Sequence, residues 1–443
     1  MSTPIPVDPL RQVKALLRAT SGHFLEMFDF ILFGFYAPHI AKAFFPASSE
    51  FASLMLTFAT FGAGFLMRPL GGIVLGGYID RVGRRKGLIV TLMMMAVATL
   101  IIAFTPGYAS IGVAAPLLVL IGRLLQGFSA GAELGGVAVY LAEMATPGHK
   151  GFYVAWQSVA QQVGVIIAAL LGYAISAWMA PDVISAWGWR IPFGIGCLMV
   201  PFLFLIRRSL EESDEFLARK TRPGTREILT QLGSHIGIVL TGILLVSMTN
   251  VSFYLLAVYT PTFGSKVLHL STTDSLLAAL AVGVSNAFWL PIMGALSDRV
   301  GRWPVLIAFS ALAIATAYPA MLWLTGVPDF ARLVIVSLWL SFLYAGYNGA
   351  MYIALAEMMP PEVRTAAFSL AFGVSAAVFG GFTPAIATWL VHVLDNKAAP
   401  GLWMSTGALC GLAASLIFAR RMSRRAAAGR AEERNAARAA IRS

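Results

Sequence analysis

Apolar segments of membrane-spanning length recur along almost the whole chain, and they restrict its fold more than any other feature. About 20 consecutive apolar residues are enough to cross the hydrocarbon core of a bilayer as a helix. The sequence predicts twelve such spans, numbered 1 to 12 in chain order: 22–45, 54–80, 86–106, 113–142, 151–177, 190–208, 236–260, 272–297, 303–325, 331–358, 364–392 and 400–420. Because lipid offers the backbone no hydrogen-bond partners, each span is expected to be helical. The pattern therefore predicts an all-α polytopic membrane protein with twelve transmembrane helices.

Composition favours the same class. Hydrophobic residues make up 58% of the chain and charged residues 12%, whereas soluble domains carry about 25% charged residues. Cys197 and Cys410 both lie in apolar runs, which indicates neither a disulfide framework nor a metal site. Residues 1–20 are polar and basic, and the apolar run that follows is too long for a signal-peptide core. We therefore expect span 1 to be retained.

Basic residues are concentrated in alternate connections. The N-terminus, the connections that follow spans 2, 4, 6, 8 and 10, and the tail hold most of them, whereas the opposite connections hold few, such as Lys266 and Lys397. The positive-inside rule therefore predicts that both termini are cytoplasmic. The basic residues behind the net charge of +11 then lie where anionic lipid headgroups are, and no nucleic-acid partner is expected. The Arg- and Ala-rich tail could form a basic helix, but we expect a solvated cytoplasmic extension.

Two short patterns occur once in each half of the chain. GGYIDRVGRRK returns as GALSDRVGRWP, which places Asp80 and Asp298 218 positions apart. YLAEMATP and IALAEMMPP pair Glu143 with Glu357 at a separation of 214 positions. Two patterns with nearly one offset predict two pseudo-repeated six-helix halves around a central cavity. The expected divisions are an N-terminal half, a cytoplasmic linker, a C-terminal half and a basic cytoplasmic tail: 1–208, 209–235, 236–420 and 421–443.

These residues carry a family resemblance. The G-x-x-x-D-R-x-G-R-R-K loop after span 2 resembles the signature of the major facilitator superfamily. Over essentially its whole length the chain also resembles the metabolite–proton symporters, including bacterial citrate–proton symporters and their tricarballylate-transporting relatives. The sequences that carry this likeness are SGHFLEMFDFILFGFYAPHIAKAFFP in span 1, GAGFLMRPLGG in span 2, GRLLQGFSAGAELGG in span 4 and WGWRIPF at the start of span 6.

The resemblance implies secondary active uptake of citrate or a related tricarboxylate by alternating access. The coupling cation would be H⁺ or Na⁺, and no cofactor is expected. The expected location is a bacterial inner membrane, where the protein would act as a monomer surrounded by lipid. Another organic acid, such as a dicarboxylate or a shikimate-like acid, and a zwitterion are alternative substrates. A membrane sensor is the alternative that involves no transport.

The signature loops are predicted to gate the cytoplasmic mouth. Carboxylates and guanidinium groups at these positions can pair across the seam between the halves and separate when the halves rotate. Solvated loop charge that only sets topology is the alternative. The predicted gating residues occupy matching positions in the two halves: Asp80, Arg84, Arg85 and Glu143, then Asp298, Arg299, Arg302 and Glu357.

Arg123 lies deep inside span 4. It precedes Glu143 by twenty positions, which is about 30 Å along a helix that rises 1.5 Å per residue. Gln126 shares its helix face. Because a guanidinium is a permanent cation that matches a carboxylate, we expect Arg123 and Gln126 to bind the substrate. A purely structural ion pair is the alternative.

Asp29 in span 1 is the expected partner of Arg123. Sugar porters of the same superfamily place an aspartate in span 1 against a span-4 arginine as a proton switch. If substrate carboxylates compete with Asp29 for Arg123, anion binding raises the affinity of Asp29 for a proton. Glu26 and Glu133 are alternative cation sites, and an unassigned sodium site stays open. Arg68 in span 2 could pair with Asp29 or Glu133, or bind substrate.

Polar side chains on several spans are expected to complete the pocket, because each can donate a hydrogen bond to a carboxylate or hydroxyl oxygen. For each of them an interhelical hydrogen bond is the alternative. The candidates are Tyr36, Gln157, Gln161, Asn250, Tyr254, Tyr347 and Asn348.

Sequence motifs of enzymes are missing. GFSAG in span 4 has the spacing of a serine nucleophile elbow, but it lies in a continuous apolar helix with no strand before it. The sequence contains no P-loop, so ATP is not the expected energy source. We therefore expect a protein that is not an enzyme.

Overall fold

The computed structural model describes residues 9–131, 134–208, 225–360 and 363–442, and the regular elements within these ranges are all helical. Ten of the described helices are long and apolar enough to cross a membrane. Span 1 adds a broken pair, His23–Phe35 and Ala37–Phe44, bent by 68°. Span 4 comprises Ala114–Ala130 and Leu134–Met144 on either side of two residues outside the described ranges. The predicted all-helical polytopic fold is therefore confirmed.

Most helix bounds lie within a few residues of the predicted spans, whereas the helices of spans 1 and 12 extend further, to Pro9 and Arg442. In the N-terminal half the helices are Pro9–Phe35 and Ala37–Phe44 in span 1, Glu50–Val82 in span 2, Arg84–Phe104 in span 3, Ala114–Ala130 and Leu134–Met144 in span 4, Lys150–Trp178 in span 5 and Ile191–Arg208 in span 6. In the C-terminal half they are Ile236–Phe253 in span 7, Thr272–Val300 in span 8, Arg302–Gly326 in span 9, Phe330–Met358 in span 10, Arg364–Ser375 and Thr383–Val393 in span 11 and Ala399–Arg442 in span 12. Short helices in the connections are Tyr108–Ile111, Pro181–Ala186 and Thr225–Ser234.

Two spans of the C-terminal half contain π-helical turns. Span 7 continues to Val267 through the π-helical stretches Tyr254–Tyr259 and Phe263–Val267, and span 11 is joined across its middle by Ala376–Gly380. Such turns are frequent at functional sites, because they redirect side chains within a helix. The first of them begins at Tyr254, which packs close to Gly380 of span 11.

The tail is helical. Span 12 continues without a break as a helix to Arg442, which is the basic helix that the sequence analysis gave as the alternative to a solvated extension. Ala and Arg are among the strongest helix formers, so the helix that begins in the membrane can propagate into the tail. Of the predicted linker, residues 209–224 lie outside the described ranges, and Thr225–Ser234 is helical.

The outer surface of the helix bundle is apolar. Leu198 and Phe202 on span 6 are 77% and 66% exposed, whereas Arg68 on span 2 and Arg123 on span 4 are 1% and 0% exposed. A soluble protein would have the opposite arrangement. The distribution suits a protein whose outer face contacts lipid.

The pseudo-repeat is visible in the backbone. Gly83 ends span 2 with φ 100° and ψ 155°, and Gly301 ends span 8 with φ 100° and ψ 154°. The two residues are 218 positions apart, which is the offset of the signature aspartates. Since side chains rarely tolerate this φ, the glycine of the motif fixes the same turn in both halves.

Glycines let spans 2 and 4 approach at backbone distance. A Cβ at Gly64 would lie 2.7 Å from the carbonyl oxygen of Arg123, and a Cβ at Gly131 would overlap the carbonyl oxygen of Arg68. Small residues permit such close helix contacts in membranes. The glycines therefore hold the two helices that carry the buried arginines side by side.

Candidate functional site

The guanidinium of Arg123 lies in an aromatic cage. Its central carbon is 4.4 Å from the ring centroid of Phe30, 4.5 Å from that of Phe33 and 4.7 Å from that of Phe61. Nη1 donates to Oε1 of Gln126 at 2.6 Å, whereas Nε and Nη2 have no hydrogen-bond partner among the described residues. The rings stabilise the charge through cation–π attraction. Two N–H groups are left for an anionic ligand.

Asp29 is linked to Arg123 indirectly, not by the direct pair that the sequence suggested. The hydroxyl of Thr99 contacts Oδ2 of Asp29 and also accepts from Nε2 of Gln126 at 3.3 Å. Gln126 in turn accepts from Arg123, so the four side chains form a relay across spans 1, 3 and 4. Span 3 inserts a hydroxyl where direct contact was expected, because its helix packs against span 4.

The relay accommodates both protonation states of Asp29. Thr99 has one hydroxyl proton and two acceptors within reach, Oδ2 of Asp29 and the carbonyl oxygen of Met95 at 3.0 Å. With Asp29 ionised, Thr99 can donate to the carboxylate. With Asp29 protonated, the acid can donate to Thr99, and Thr99 can donate to Met95. Oδ1 of Asp29 has no hydrogen-bond partner among the described residues.

Arg68 pairs with Glu26 and not with Asp29, one of the partners that the sequence suggested. Nη2 of Arg68 lies 2.8 Å from Oε1 of Glu26, and both side chains are at most 2% exposed. Glu133 lies outside the described residues. Glu26 precedes Asp29 by three positions on span 1, so the two carboxylates lie on the same face of the helix. Glu26 pairs with Arg68, whereas Asp29 is linked to Arg123 through Thr99 and Gln126.

Two residues that the sequence analysis missed complete these networks. Thr99 occurs in an apolar run and gives no sequence signal. His23 contacts Glu26 through Nδ1 at 3.3 Å and Gln161 through Nε2. Its position three residues before Glu26 on span 1 was a usable signal, because side chains at this spacing are neighbours on a helix.

One aromatic wall separates the two arginines. Phe30 lies 4.9 Å from the guanidinium of Arg68 and 4.4 Å from that of Arg123. Phe61 and Phe65 extend the wall to span 7, where the ring of Tyr254 packs edge-on against both. The predicted pocket residue Tyr254 therefore lies at the interface of the two halves, close to Arg68.

Polar contacts cross the seam between the halves. Nδ2 of Asn348 on span 10 donates to Ser158 on span 5 at 2.9 Å. Nδ2 of Asn286 on span 8 donates to Gln162 on span 5 at 3.2 Å. Asn348 was a predicted pocket residue, whereas Asn286 and Gln162 were not identified. Oδ1 of Asn348 has no hydrogen-bond partner in the described part of the chain, so it can still accept from a ligand.

The remaining polar candidates have different surroundings. Asn250 donates to Ser375 on span 11 at 3.2 Å, and the hydroxyl of Tyr347 donates to the carbonyl oxygen of Leu245 at 2.7 Å. Both bonds lie inside the C-terminal half, so a ligand would have to displace them. Gln157 is fully buried on span 5. Tyr36 lies at the bend of span 1, and its hydroxyl has no hydrogen-bond partner among the described residues.

The C-terminal signature loop closes the seam at the predicted cytoplasmic end. Asp298 accepts from the backbone N–H of Gly151 at 2.8 Å and of Phe152 at 3.0 Å, in the first turn of span 5. Arg302 pairs with Asp298 at 2.7 Å and with Glu357 at 3.5 Å. The bridge between the halves is thus a carboxylate at a helix N-terminus, where N–H groups and the helix dipole favour negative charge.

The other predicted gating residues either have side chains outside the described residues or are exposed. The side chains of Asp80 and Arg84 lie outside the described residues. Arg85, Glu143 and Arg299 are exposed. At the opposite end of the seam, Lys266 of span 7 pairs with Glu50 of span 2, so the two halves are bridged at both ends.

Comparison with known proteins gives one family match and strong similarity to named proteins. The family model described as Major Facilitator Superfamily matches residues 19–380. Two proteins named citrate-proton symporter, from Salmonella typhi and Klebsiella pneumoniae, are each 60% identical over 93% of this chain, covering 94% and 92% of their own lengths. An alpha-ketoglutarate permease from Escherichia coli (strain K12) is 34% identical over 87% of this chain and 89% of its own.

Among solved structures, the fold is similar to that of the xylose transporter XylE from E. coli in a partially occluded inward open conformation. The TM-score is 0.73 at 20% identity, and the match covers 92% of this chain and 97% of that chain. At this level of identity the match concerns the fold alone.

Proposed function

Because this chain belongs to the Major Facilitator Superfamily, we propose that it is a proton symporter for citrate or a related tricarboxylate that works by alternating access. One observation supports this above all: two citrate-proton symporters are 60% identical to it over 93% of its length. The family match confirms the resemblance found in the sequence. The transporter names of the relatives also confirm the expectation of a protein that is not an enzyme.

The buried cations suit a polyanionic substrate. A tricarboxylate that enters a low-dielectric cavity needs cationic ligands, because unpaired buried charge costs several kcal/mol per ion. Arg123 offers two N–H groups without partners among the described residues, and Arg68 lies at the interface of the halves near Tyr254. We infer that Arg123 and Gln126 hold one carboxylate of the substrate, and that seam residues such as Asn348 hold another part of it.

Proton coupling is preferred to sodium coupling. The two citrate-transporting relatives are named as proton symporters. In the described ranges of the chain, no group of three or more His, Cys, Asp or Glu residues is placed to hold a metal ion. Asp29 can exchange a proton within the relay without breaking it, so we propose Asp29 as the coupling site.

We further propose that the protein acts as a monomer in a bacterial inner membrane with both termini in the cytoplasm. The apolar outer surface and the many spans support a multi-pass membrane protein. The concentration of Arg and Lys in alternate connections supports the orientation.

Uptake by the purified protein in liposomes tests the function. With a pH gradient imposed, acidic outside, labelled citrate is expected to accumulate, and an imposed sodium gradient alone is expected to give none. A pH indicator inside the liposomes should report acidification when citrate enters. Preferential uptake of α-ketoglutarate or betaine over citrate would contradict the substrate assignment, and accumulation driven by sodium would contradict the coupling ion.

The gating proposal predicts a separate effect at Asp298. Asparagine keeps one acceptor oxygen but loses the charge that favours the N-terminus of span 5 and pairs with Arg302, and the loss of these charge-assisted contacts costs about 1–2 kcal/mol. Asp298→Asn is therefore expected to shift the closed–open balance of the cytoplasmic end about 5- to 30-fold and to slow transport. Citrate binding should change little, because the loop lies at the end of the seam. Rates of citrate exchange and citrate-induced thermal shifts would be measured together.

Asp329 provides the matched control. It caps the N-terminus of span 10 by accepting from the backbone N–H of Arg332 at 2.8 Å. Unlike the contact of Asp298 with span 5, this contact lies within one half, at the end of the helix bundle opposite to Asp298. Asp329→Asn should leave the exchange rate unchanged. A loss of citrate binding in Asp298→Asn as large as the loss of transport would count against a gate at this position.

A further inference from the structure

A second buried network on span 1 is not used by the coupling site at Asp29. Arg68 donates to Oε1 of Glu26 at 2.8 Å, and Oε2 of Glu26 lies 3.3 Å from Nδ1 of His23. Nε2 of His23 contacts Nε2 of Gln161 on span 5. The four side chains are at most 5% exposed. They form a continuous line from span 2 through span 1 to span 5.

The contacts match one tautomer of neutral His23. In the orientation shown, the amide nitrogen of Gln161 donates to Nε2 of His23, which then carries no proton. His23 then holds its proton on Nδ1 and donates it to Glu26. If Nε2 gains a proton, a half-turn of the Gln161 amide presents its oxygen as the acceptor. The same side chains therefore satisfy neutral and protonated His23.

Protonation changes what Glu26 must balance. With neutral His23, Arg68 is the cation that pairs with the carboxylate of Glu26 among the described residues. With a protonated imidazole, a second cation contacts the same carboxylate, and the network gains a positive charge. Nε of Arg68 already has no hydrogen-bond partner among the described residues. An additional anion that pairs with Arg68 then compensates the positive charge that the network has gained.

We propose that His23 is a second proton-binding site, and that its protonation lets Arg68 exchange Glu26 for a carboxylate of the substrate. The proton adds to Nε2 of His23, Glu26 turns to the imidazolium, and the substrate carboxylate pairs with Arg68. When the substrate leaves, Glu26 returns to Arg68 and Nε2 releases the proton. Since this site deepens the proton-coupled transport proposed above, it depends on that function.

Other ionisable groups surround the network. From the C-terminal half, Tyr254 on span 7 interacts electrostatically with Arg68 and Glu26, and Tyr352 on span 10 interacts with Arg68. Titratable and charged groups on span 1 and on the elements packed against it include Glu26 and Asp29 on span 1 itself, Arg68 on span 2, Arg123, Tyr140 and Glu143 on span 4, Lys150, Tyr153 and Tyr173 on span 5, Cys197 on span 6 and Tyr254 on span 7, and Glu133 lies outside the described residues. Both tyrosines belong to the other half, so Arg68 and Glu26 lie beside the seam. A charge gained by His23 therefore acts close to the seam through Glu26.

His23→Gln tests the proposal. Glutamine keeps hydrogen-bonding capacity but binds no proton in the physiological range. The number of protons moved per citrate, measured from reversal potentials in liposomes, is expected to fall by about one, while citrate counterflow continues. At an imposed potential of 100 mV the accumulation ratio should fall about 50-fold. His39→Gln, at the far end of the same bent span, is the matched control and should keep the wild-type proton number.

A second variant, Gln161→Leu, tests the proposal even if His23→Gln does not fold. Gln161→Leu keeps the imidazole of His23 but removes the acceptor of its Nε2 proton, so the pH profile of uptake should move to more acidic pH with an unchanged proton number. A wild-type proton number in His23→Gln would overturn the proposal. If His23→Gln does not fold, an unchanged pH profile in Gln161→Leu would overturn it instead. Absence of citrate-coupled proton movement in the wild type would mark the failure of the proposed function itself.

Discussion

Asp29→Asn is expected to exchange citrate across the membrane but to lose accumulation against a gradient. Asparagine resembles the protonated acid: its amide can donate to Thr99, which can donate to Met95, so the relay is kept in its protonated arrangement. Each proton that is no longer carried leaves one more negative charge to move against the membrane potential. At 100 mV this costs about 2.3 kcal/mol, or a roughly 50-fold lower accumulation ratio.

Accumulation and counterflow would be measured side by side in liposomes with an imposed potential. Asp182→Asn is the matched control, because Asp182 is an exposed aspartate in the connection between spans 5 and 6. Normal accumulation by Asp29→Asn with the wild-type pH dependence would exclude Asp29 as the coupling site. Loss of counterflow together with accumulation would show that Asp29 is needed for binding and not for coupling.

Arg123→Lys is expected to weaken citrate binding severely although the charge is retained. The compact ammonium of lysine cannot present two N–H groups in a plane while a third group donates to Gln126, as the guanidinium of Arg123 can. It also loses the stacking of a flat cation among Phe30, Phe33 and Phe61. Loss of one charge-assisted hydrogen bond costs about 1.5–3 kcal/mol, which corresponds to a roughly 10- to 150-fold increase in the dissociation constant.

Citrate-induced thermal shifts and direct binding titrations would measure this effect. Arg332→Lys is a close control, because the guanidinium of Arg332 also lies over an aromatic ring, that of Trp323 at 4.8 Å, but at the outer end of span 10. The control variant should bind citrate normally. Normal binding by Arg123→Lys would assign Arg123 a structural role and leave Arg68 as the ligand of the anion.

Several elements of the site could be predicted from the sequence. Charge inside an apolar span is expensive, so Arg68, Arg123, Glu26 and Asp29 were recognisable as functional candidates wherever the helices placed them. The Asp298–Arg302 pair follows from a spacing of four residues at a helix end. Such predictions are possible because helical geometry relates positions that are close in the chain.

Pairing between spans could not be predicted in this way. The sequence suggested Asp29, Glu133 or the substrate as the partner of Arg68, and Asp29 as the partner of Arg123. Among the described residues, which do not include Glu133, Arg68 pairs with Glu26, and Thr99 and Gln126 separate Asp29 from Arg123. Which carboxylate meets which arginine depends on the rotation and axial offset of each helix. A polar residue such as Thr99, isolated in an apolar run, becomes significant only when span 3 packs against its neighbours.

The sequence by itself determined that the chain is helical, crosses a membrane repeatedly and repeats a charged loop at an offset of 218 residues. Those properties follow from local physics, since an apolar run of sufficient length must satisfy its own backbone in lipid. Only the tertiary structure decided that Asp298 caps span 5 across the seam, that His23 contacts Gln161 of span 5, and that the ring of Phe30 lies beside both arginines. Each of these contacts joins distant segments or depends on side-chain rotamers, and the close packing of helices at glycines selects among the many pairings that the sequence allows.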